Sequence, residues 1–387
     1  MMKRIYSIDF MRGFVMIIMA LDHTRDMMHI HSVDQSPTNL VTTTPILFFT
    51  RWITYLCAPI FVFLAGTSAY ISLSNNRDLP QKRNSLIKRG IYLILLEFVV
   101  VNFALFFDPG YHTLLFEVIA STGFGFIVLG LLLRIPAKVL GIIGLVIIFC
   151  HNLLPLIPLA ETSMVKRILM PLFSPGAFPF SNRVFVMGYP PIPWLGIMLI
   201  GFASGKLFQL QKAQQKKIFI RIGLGAIMLF TLLRFVNIYG DSVPWASQKN
   251  AVYTFLSFMN VTKYPPSLMF CLITLGIMFL ILAFAGGVKN KFAGIVSVYG
   301  RVPLFYFLVH FFLIHLIMVG LMFMQGFHWS QMDFASGNFG RPKGAVSGLS
   351  LPGIYLVWLL VVAVLYKPCQ WFGKYKATHS QWWLKYV

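Results

Sequence analysis

Residues 268–286 read LMFCLITLGIMFLILAFAG, nineteen positions without a single charged side chain. At ~1.5 Å of helical rise per residue, a run of this length crosses the ~30 Å hydrocarbon layer of a bilayer. Working outward from it, further candidate spans are Ile8–Met28, Leu47–Leu73, Leu86–Phe107, Leu114–Leu133, Val139–Leu154, Val186–Leu207, Ile218–Ile238, Ala293–Met324 and Leu351–Phe372. The chain has 387 residues, of which 58% are apolar and 11% charged. Its mean hydropathy is +0.76. A water-facing globule could not hide that much apolar surface, so a soluble enzyme, a disordered chain and a fibrous protein are excluded. The sequence predicts an all-α fold, a polytopic transmembrane helix bundle of about ten spans. It forms one domain over residues 1–387, in which 366–387 is a basic and aromatic tail lying at the membrane interface.

The 32 Lys and Arg outnumber the 11 Asp and Glu, a formal charge of +21. In a soluble chain this balance would suggest nucleic acid; here most of the cations sit in short connections between apolar runs, so no nucleic-acid partner is expected. Twenty of them fall on the side that holds both chain ends, seven on the other side and five within spans. The positive-inside rule then puts both termini in the cytoplasm, for a multi-pass protein of the cytoplasmic (inner) membrane of the cell. Cys57, Cys150, Cys271 and Cys369 are far apart and indicate neither a disulfide framework nor a thiolate metal site. The first apolar run contains Arg12, Asp22 and His23 and lacks an A-x-A-like site, so it is not read as a cleavable signal. Ile30–Pro45, His151–Phe185 and Gln325–Ser350 are long outer segments able to shape a substrate mouth. The prolines of the middle one argue against a continuous helix there.

An ionisable side chain inside a span is costly and therefore a functional candidate. Asp9, Arg12, Asp22, His23, Arg25 and Asp26 all lie on the first span. Eleven residues separate Arg12 from His23, three helical turns to within ~20°, so the two share a face with His23 ~16 Å further along. Asp9 and Asp26 fall on nearly the same stripe. An arginine near one end could hold the phosphates of a carrier such as coenzyme A, whose long arm would present a thioester at the level of His23. Histidine suits proton removal from a hydroxyl or amine near neutral pH. Asp26 could partner the histidine, and Glu97, mid-way along the third span, is either a partner for Arg12 or His23 or a lone protonated acid. Arg51, at the outer mouth of the second span, could clamp an acceptor. On the ninth span Arg301 lies beside a Gly300 and Pro303 interruption, with His310 nine residues further out. Arg301 is read as a second phosphate ligand and His310 as lining the reaction chamber. Glu117 is placed near an outer edge. Gly123-x-Gly125 and Gly201-x-x-x-Gly205 read as close helix packing. No metal site is expected, the short His29-x-His31 cluster with Asp26 and Asp34 included.

The segment Arg4-Ile-Tyr-Ser-Ile-Asp9-Phe-Met-Arg12-Gly13, with ten residues from Arg12 to His23, resembles the R-x10-H signature of membrane acyltransferases of family three. Ala58-Pro59-Ile-Phe-Val-Phe-Leu-Ala-Gly66-Thr67-Ser68 is similar to the heparan-alpha-glucosaminide N-acetyltransferase-like branch of that superfamily. Pro193-Trp194-Leu-Gly196, Tyr264-Pro265-Pro266-Ser267 and Gly300-Arg301-Val-Pro303-Leu-Phe-Tyr extend the likeness over most of the chain. The resemblance implies transfer of an acetyl or short acyl group, with acetyl-CoA as donor co-substrate and a carbohydrate acceptor on the far side of the bilayer. It matches His23 to the signature histidine of family three. The heparan enzymes place their active histidine in the following loop, which here holds His29 and His31, so His29 is the second candidate. The competing class is a transporter or flippase of a small anionic or acylated substrate, against which the lack of an internal repeat weighs. The acceptor, O- versus N-acylation and the oligomeric state stay open. The charge asymmetry has a direct check: in cysteine-accessibility labelling of intact cells, positions near Lys212–Lys217 should be protected and positions near Lys249 reactive, and the reverse pattern would overturn the orientation.

Overall fold

A computed structural model describes residues 5–74, 78–156, 163–285 and 290–386. Of the residues counted or quoted above, Lys3, Arg4, Arg77, Pro158, Gly286 and Lys289 lie outside these. The chain runs through α1 (Tyr6–Met28), α2 (Pro45–Thr54), α3 (Cys57–Ser74), α4 (Leu79–Leu96), a π-helical turn (Glu97–Val101), α5 (Asn102–Phe106), β1 (Thr113–Phe116), α6 (Val118–Leu131), α7 (Ala137–Cys150) and α8 (Met164–Phe173). It continues through β2 (Gly176–Phe180), β3 (Arg183–Met187), α9 (Pro191–Ala203), α10 (Lys212–Val236), α11 (Ala251–Met259), α12 (Leu268–Ala285), α13 (Lys291–Gly300), α14 (Pro303–Met324) and α15 (Leu351–Thr378). Among the described residues, eight helical segments are long and apolar enough to cross a membrane. The other two expected spans correspond to α1, which is rich in charge, and to α6, which is only 14 residues long. The fold is an all-α membrane bundle.

Local chemistry sets the element boundaries. Thr44 caps α2 by accepting from Leu47 N at 3.3 Å, with Pro45 in the first turn. Asn290 caps α13, accepting from Ala293 N at 2.8 Å. The ninth span is interrupted as its Gly and Pro suggest: α13 ends at Gly300 and Pro303, which has no N–H to give, opens α14. Several boundaries differ from expectation: the third span starts earlier, at Leu79, and the sixth later, at Pro191 after β3. The fourth span starts later than Leu114, because Thr113–Phe116 pair in parallel with β3, Leu115 opposite Val186. The proline-rich segment is not one continuous helix, as its prolines suggest: it holds α8 and a β2–β3 hairpin, completing a three-stranded sheet in the order β1-β3-β2.

The helix α1 is central and contacts α2, α3, α12, α13, α14 and α15. Lipid is as apolar as leucine, so helices in a bilayer associate through close packing rather than through water exclusion. At the α1–α13 crossing a Cβ on Gly13 would stand 1.9 Å from the Val296 carbonyl oxygen, and one on Gly300 would stand 1.8 Å from that of Asp9. The α3–α9 crossing repeats the device, with Gly201 against the Phe63 carbonyl oxygen at 2.1 Å. Backbone therefore rests on backbone. Gly300→Val should destabilise the purified protein by ~3 kcal/mol or more, above the ordinary overpacking range because no side chain is there to yield. Gly294→Ala, on the open side of α13 with nothing within 4 Å, should leave the melting temperature within about a degree or raise it. Thermal unfolding in detergent reads both.

Candidate active site

Three cavities follow α1 from one end of the bundle to the other. The basal cavity, about 290 Å³, lies beside the start of α1 and is lined by Asp9, Arg12, Ser68, Arg89, Arg301 and Lys376 among apolar side chains. Four cations and one acid thus face one space. Arg12 Nη2 donates to Ser68 Oγ at 2.7 Å and to the Leu64 carbonyl at 3.3 Å, which holds the guanidinium at the wall. The central cavity, about 150 Å³, is lined by Asp22, His23, Asp26, Arg51, Glu117, Tyr189, Lys263 and Tyr264, with Phe61, Phe307 and Phe311 among its apolar walls. A vestibule of about 350 Å³ at the far face shares Asp26, Arg51, Lys263 and Tyr264 with it. Phe61 belongs to both the basal and the central cavity.

The charges of the central cavity are organised around Asp22. Its Oδ1 accepts from Arg25 Nη2 at 2.7 Å and its Oδ2 from Arg51 Nη1 at 2.5 Å. Arg25 Nη2 also reaches Asp26 Oδ1 at 2.6 Å. Ion pairs at this depth hold only because each charge answers another. Lys263 is 7% exposed, and its Nζ stands 5.0 Å from the Tyr264 ring centroid and 5.8 Å from that of Tyr189. The loop that carries it is anchored by Asp241, whose carboxylate accepts from Thr262 N at 3.0 Å and Ser267 Oγ at 2.7 Å.

His23 is held by a second histidine. His310 Nδ1 lies 3.1 Å from the Tyr306 carbonyl oxygen and also contacts that of Phe307. A carbonyl only accepts, so in the neutral ring Nδ1 carries the hydrogen and Nε2 the lone pair. His310 Nε2 is 2.6 Å from His23 Nδ1, which must then be the donor. The tautomer of His23 follows from these contacts: its Nε2 is left with a lone pair on a ring that lines the central cavity. Phe311 stacks on the same ring at 4.3 Å.

The expected residues separate into those gathered here and those placed elsewhere. Arg12 and Arg301 share the basal cavity, and His23, Asp26 and Arg51 share the central one. His310 is fully buried behind His23 and contributes to its geometry rather than to the cavity wall. Glu97 reaches neither Arg12 nor His23; from the π-helical turn its Oε2 accepts from Ala120 N at 2.9 Å, in the first turn of α6. Asp26 pairs with Arg25 instead of the histidine. His29 lies past the end of α1 in a separate recess of about 20 Å³. There burial, followed by the neighbouring His31, Arg25 and Arg341, holds its pKa below the usual imidazole value. Its carbonyl accepts from Arg341 Nη1 at 2.8 Å. Asp22, turned ~100° from His23 on the helix, still reaches the cavity. Lys263, Tyr189 and Tyr264 come from connections between helices; the only sequence signal near them is the Tyr264-Pro-Pro-Ser267 motif, which Lys263 directly precedes. Among the described residues, no group of three or more His, Cys, Asp and Glu is arranged to hold a metal ion.

A family model described as heparan-alpha-glucosaminide N-acetyltransferase, catalytic, matches residues 4–234, more than half of the chain. The chain belongs to that family. The matched stretch contains Arg12, His23, Asp26, Arg51, Glu97 and Glu117, whereas Lys263, Arg301 and His310 lie beyond it. No curated protein matches the chain. Family membership points to membrane acetyltransferase activity. The electrostatic hub at Asp22 has a measurable weight: Asp22→Ala leaves two buried guanidinium groups without their shared partner and should cost ~3–5 kcal/mol. Replacing Asp22 and Arg51 together by leucine should cost less than the sum of the two single changes in the same thermal-unfolding assay, because the pair acts as a unit.

Proposed function

We propose that this member of the heparan-alpha-glucosaminide N-acetyltransferase family moves an acetyl, or short acyl, group from acyl-CoA in the basal cavity to a carbohydrate acceptor in the central cavity. The observation that carries the reading is the free Nε2 of His23, held toward that cavity by the His23–His310 contact at 2.6 Å. The acceptor proton passes to Nε2 as the acceptor attacks the thioester carbon, and His23 returns a proton to the leaving sulfur, so the imidazole ends neutral. The charge contrast supports the division of labour. Arg12, Arg89, Arg301 and Lys376 suit the phosphates of a CoA head, while the mixed charges of the central cavity suit a polar sugar. The ~16 Å between Arg12 and His23 along α1 suits an extended pantetheine arm passing Phe61. With the basic excess facing the cytoplasm, the donor would enter from the cytoplasmic side and the acceptor through the far vestibule, across the inner membrane.

The test is thiol release from acetyl-CoA by the purified protein. A transporter would give substrate flux without thiol release, and that result would overturn the reading. Within the transferase reading, His23→Ala should lower kcat by roughly 10²–10⁴-fold with little change in donor affinity. Arg12→Ala and Arg301→Ala should instead weaken acetyl-CoA binding, because each removes a charge-assisted phosphate contact. Should His23→Ala keep near-full turnover while His29→Ala abolishes it, the base is the loop histidine and the α1 stripe is architecture.

A further inference from the structure

Glu117 directly precedes α6, yet its side chain makes no capping hydrogen bond to that helix. The start of α6 is answered by Glu97 instead, through Ala120 N at 2.9 Å. An acid at a helix N-terminus ordinarily gains from the exposed N–H groups. With that place taken by Glu97, the Glu117 carboxylate lines the central cavity together with His23. It also differs from the other acids there. Asp22 and Asp26 are each tied to an arginine within 2.7 Å, whereas among the described residues the Glu117 carboxylate has no ion pair within 4.0 Å and no hydrogen bond, and only its backbone carbonyl is engaged, by Ser121 N at 2.9 Å. Asp22, His23 and Asp26 face it from α1, Arg51 from α2, Glu97 from the π-helical turn, and Tyr189, Lys263 and Tyr264 from the segments before α9 and α12. Burial pushes its pKa up to about 7; Lys263 and Arg51 oppose the shift, and Asp26 and Asp22 add to it.

We propose that Glu117 is a second catalytic proton acceptor, which binds the primary ammonium group of an amino-sugar acceptor and strips it to the free amine. The step rests on the acetyl-transfer reading and supplies what that reading lacks for an amine. An ammonium nitrogen must lose two protons to become an amide, and one imidazole accounts for one of them. The ammonium gives its first proton to the Glu117 carboxylate. The amine then attacks the thioester carbon and the carbon–sulfur bond breaks. His23 Nε2 takes the second proton and hands it to the sulfur. Glu117 releases its proton through the vestibule. The sum is R–NH3⁺ plus acetyl-CoA going to the amide, CoA–SH and one free proton, so atoms and charge balance. A hydroxyl acceptor has one proton to lose and would make no use of Glu117.

The full-length protein in lipid nanodiscs, given acetyl-CoA with glucosamine or with methyl glucoside, tests this directly. With glucosamine, Glu117→Gln should lose roughly 10²-fold in turnover at pH 7. The loss should shrink as pH rises through the amine's own pKa, because the free amine then arrives already formed. The loss in His23→Ala should stay constant over the same range. Glu117→Asp should retain part of the activity, which guards against a fold defect, and acetyl-CoA affinity should be unchanged in both Glu117 variants. Wild-type turnover should fall as pH drops below about 7, where the carboxylate is protonated. Full turnover by Glu117→Gln at pH 7, a loss that does not vary with pH, or a wild type that acylates methyl glucoside and not glucosamine would each overturn the role of Glu117 and leave the transferase reading standing. A wild type that releases no thiol with either acceptor overturns both.

Discussion

The backbone contact between α1 and α13 is the constraint on which the rest of the molecule depends. Arg12 precedes Gly13 on one helix, and Arg301 follows Gly300 on the other. The glycines let the two main chains touch, and the arginines beside them are carried to the wall of one cavity. Longer residues at the crossing would separate the helices and, with them, the two guanidinium groups. The same contact fixes the axis of α1, so that its far end delivers Asp22, His23 and Asp26 to the central cavity. A packing device made of absent side chains thus sets the spacing between a cationic recess and the His23 imidazole.

The polar groups on α1 are held in place by one another. Asp22 serves Arg25 and Arg51, Arg25 also serves Asp26, and His310 orients His23 from the side away from the cavity. Each of these groups would be unfavourable alone in a bilayer, and each is tolerable because a partner on α1 itself, on α2 or on α14 answers it. His310 stands in the same relation to His23 as an orienting carboxylate does in other acid–base pairs: it settles which nitrogen keeps the hydrogen. Here the choice is anchored by main-chain carbonyls of α14, which cannot change protonation.

The α1 stripe was legible in the sequence because a helix has a fixed rise and angle, so residue numbers translate directly into depth and face. The break at Gly300 and Pro303 was legible for the same local reason. Depth alone does not choose a partner for Glu97. The residue lies where the rise of the third span suggested, but the π-helical turn that begins at it alters the helical phase, and its carboxylate meets α6 instead of α1. His310 fell one layer behind the expected position, since depth does not say which of two histidines faces the space between them. Lys263, Tyr189 and Glu117 sit in connections whose course is set by contacts between distant parts of the chain. No periodicity reports on such positions, and the sequence alone therefore places Glu117 near an outer edge. The short sheet was hidden for a similar reason: it pairs strands about seventy positions apart, within segments read as a span and a loop.

The company that α1 keeps has a consequence for how the protein is made. It carries Asp9, Arg12, Asp22, Arg25 and Asp26, and the helices it packs against follow it in the chain, α13, α14 and α15 by more than 260 residues. The α13 backbone lies against it, Trp358 Nε1 donates to the Ile17 carbonyl at 2.8 Å, and Arg341 holds the carbonyl of His29. During synthesis, then, a span with five charged side chains must wait beside the insertion machinery, or in shallow contact with the membrane, while more than 260 further residues are threaded before α13 reaches it. Closure of the bundle around α1 for that reason follows the synthesis of α13, α14 and α15, and the basal cavity, whose Arg301 and Lys376 come from that part of the chain, takes shape only then.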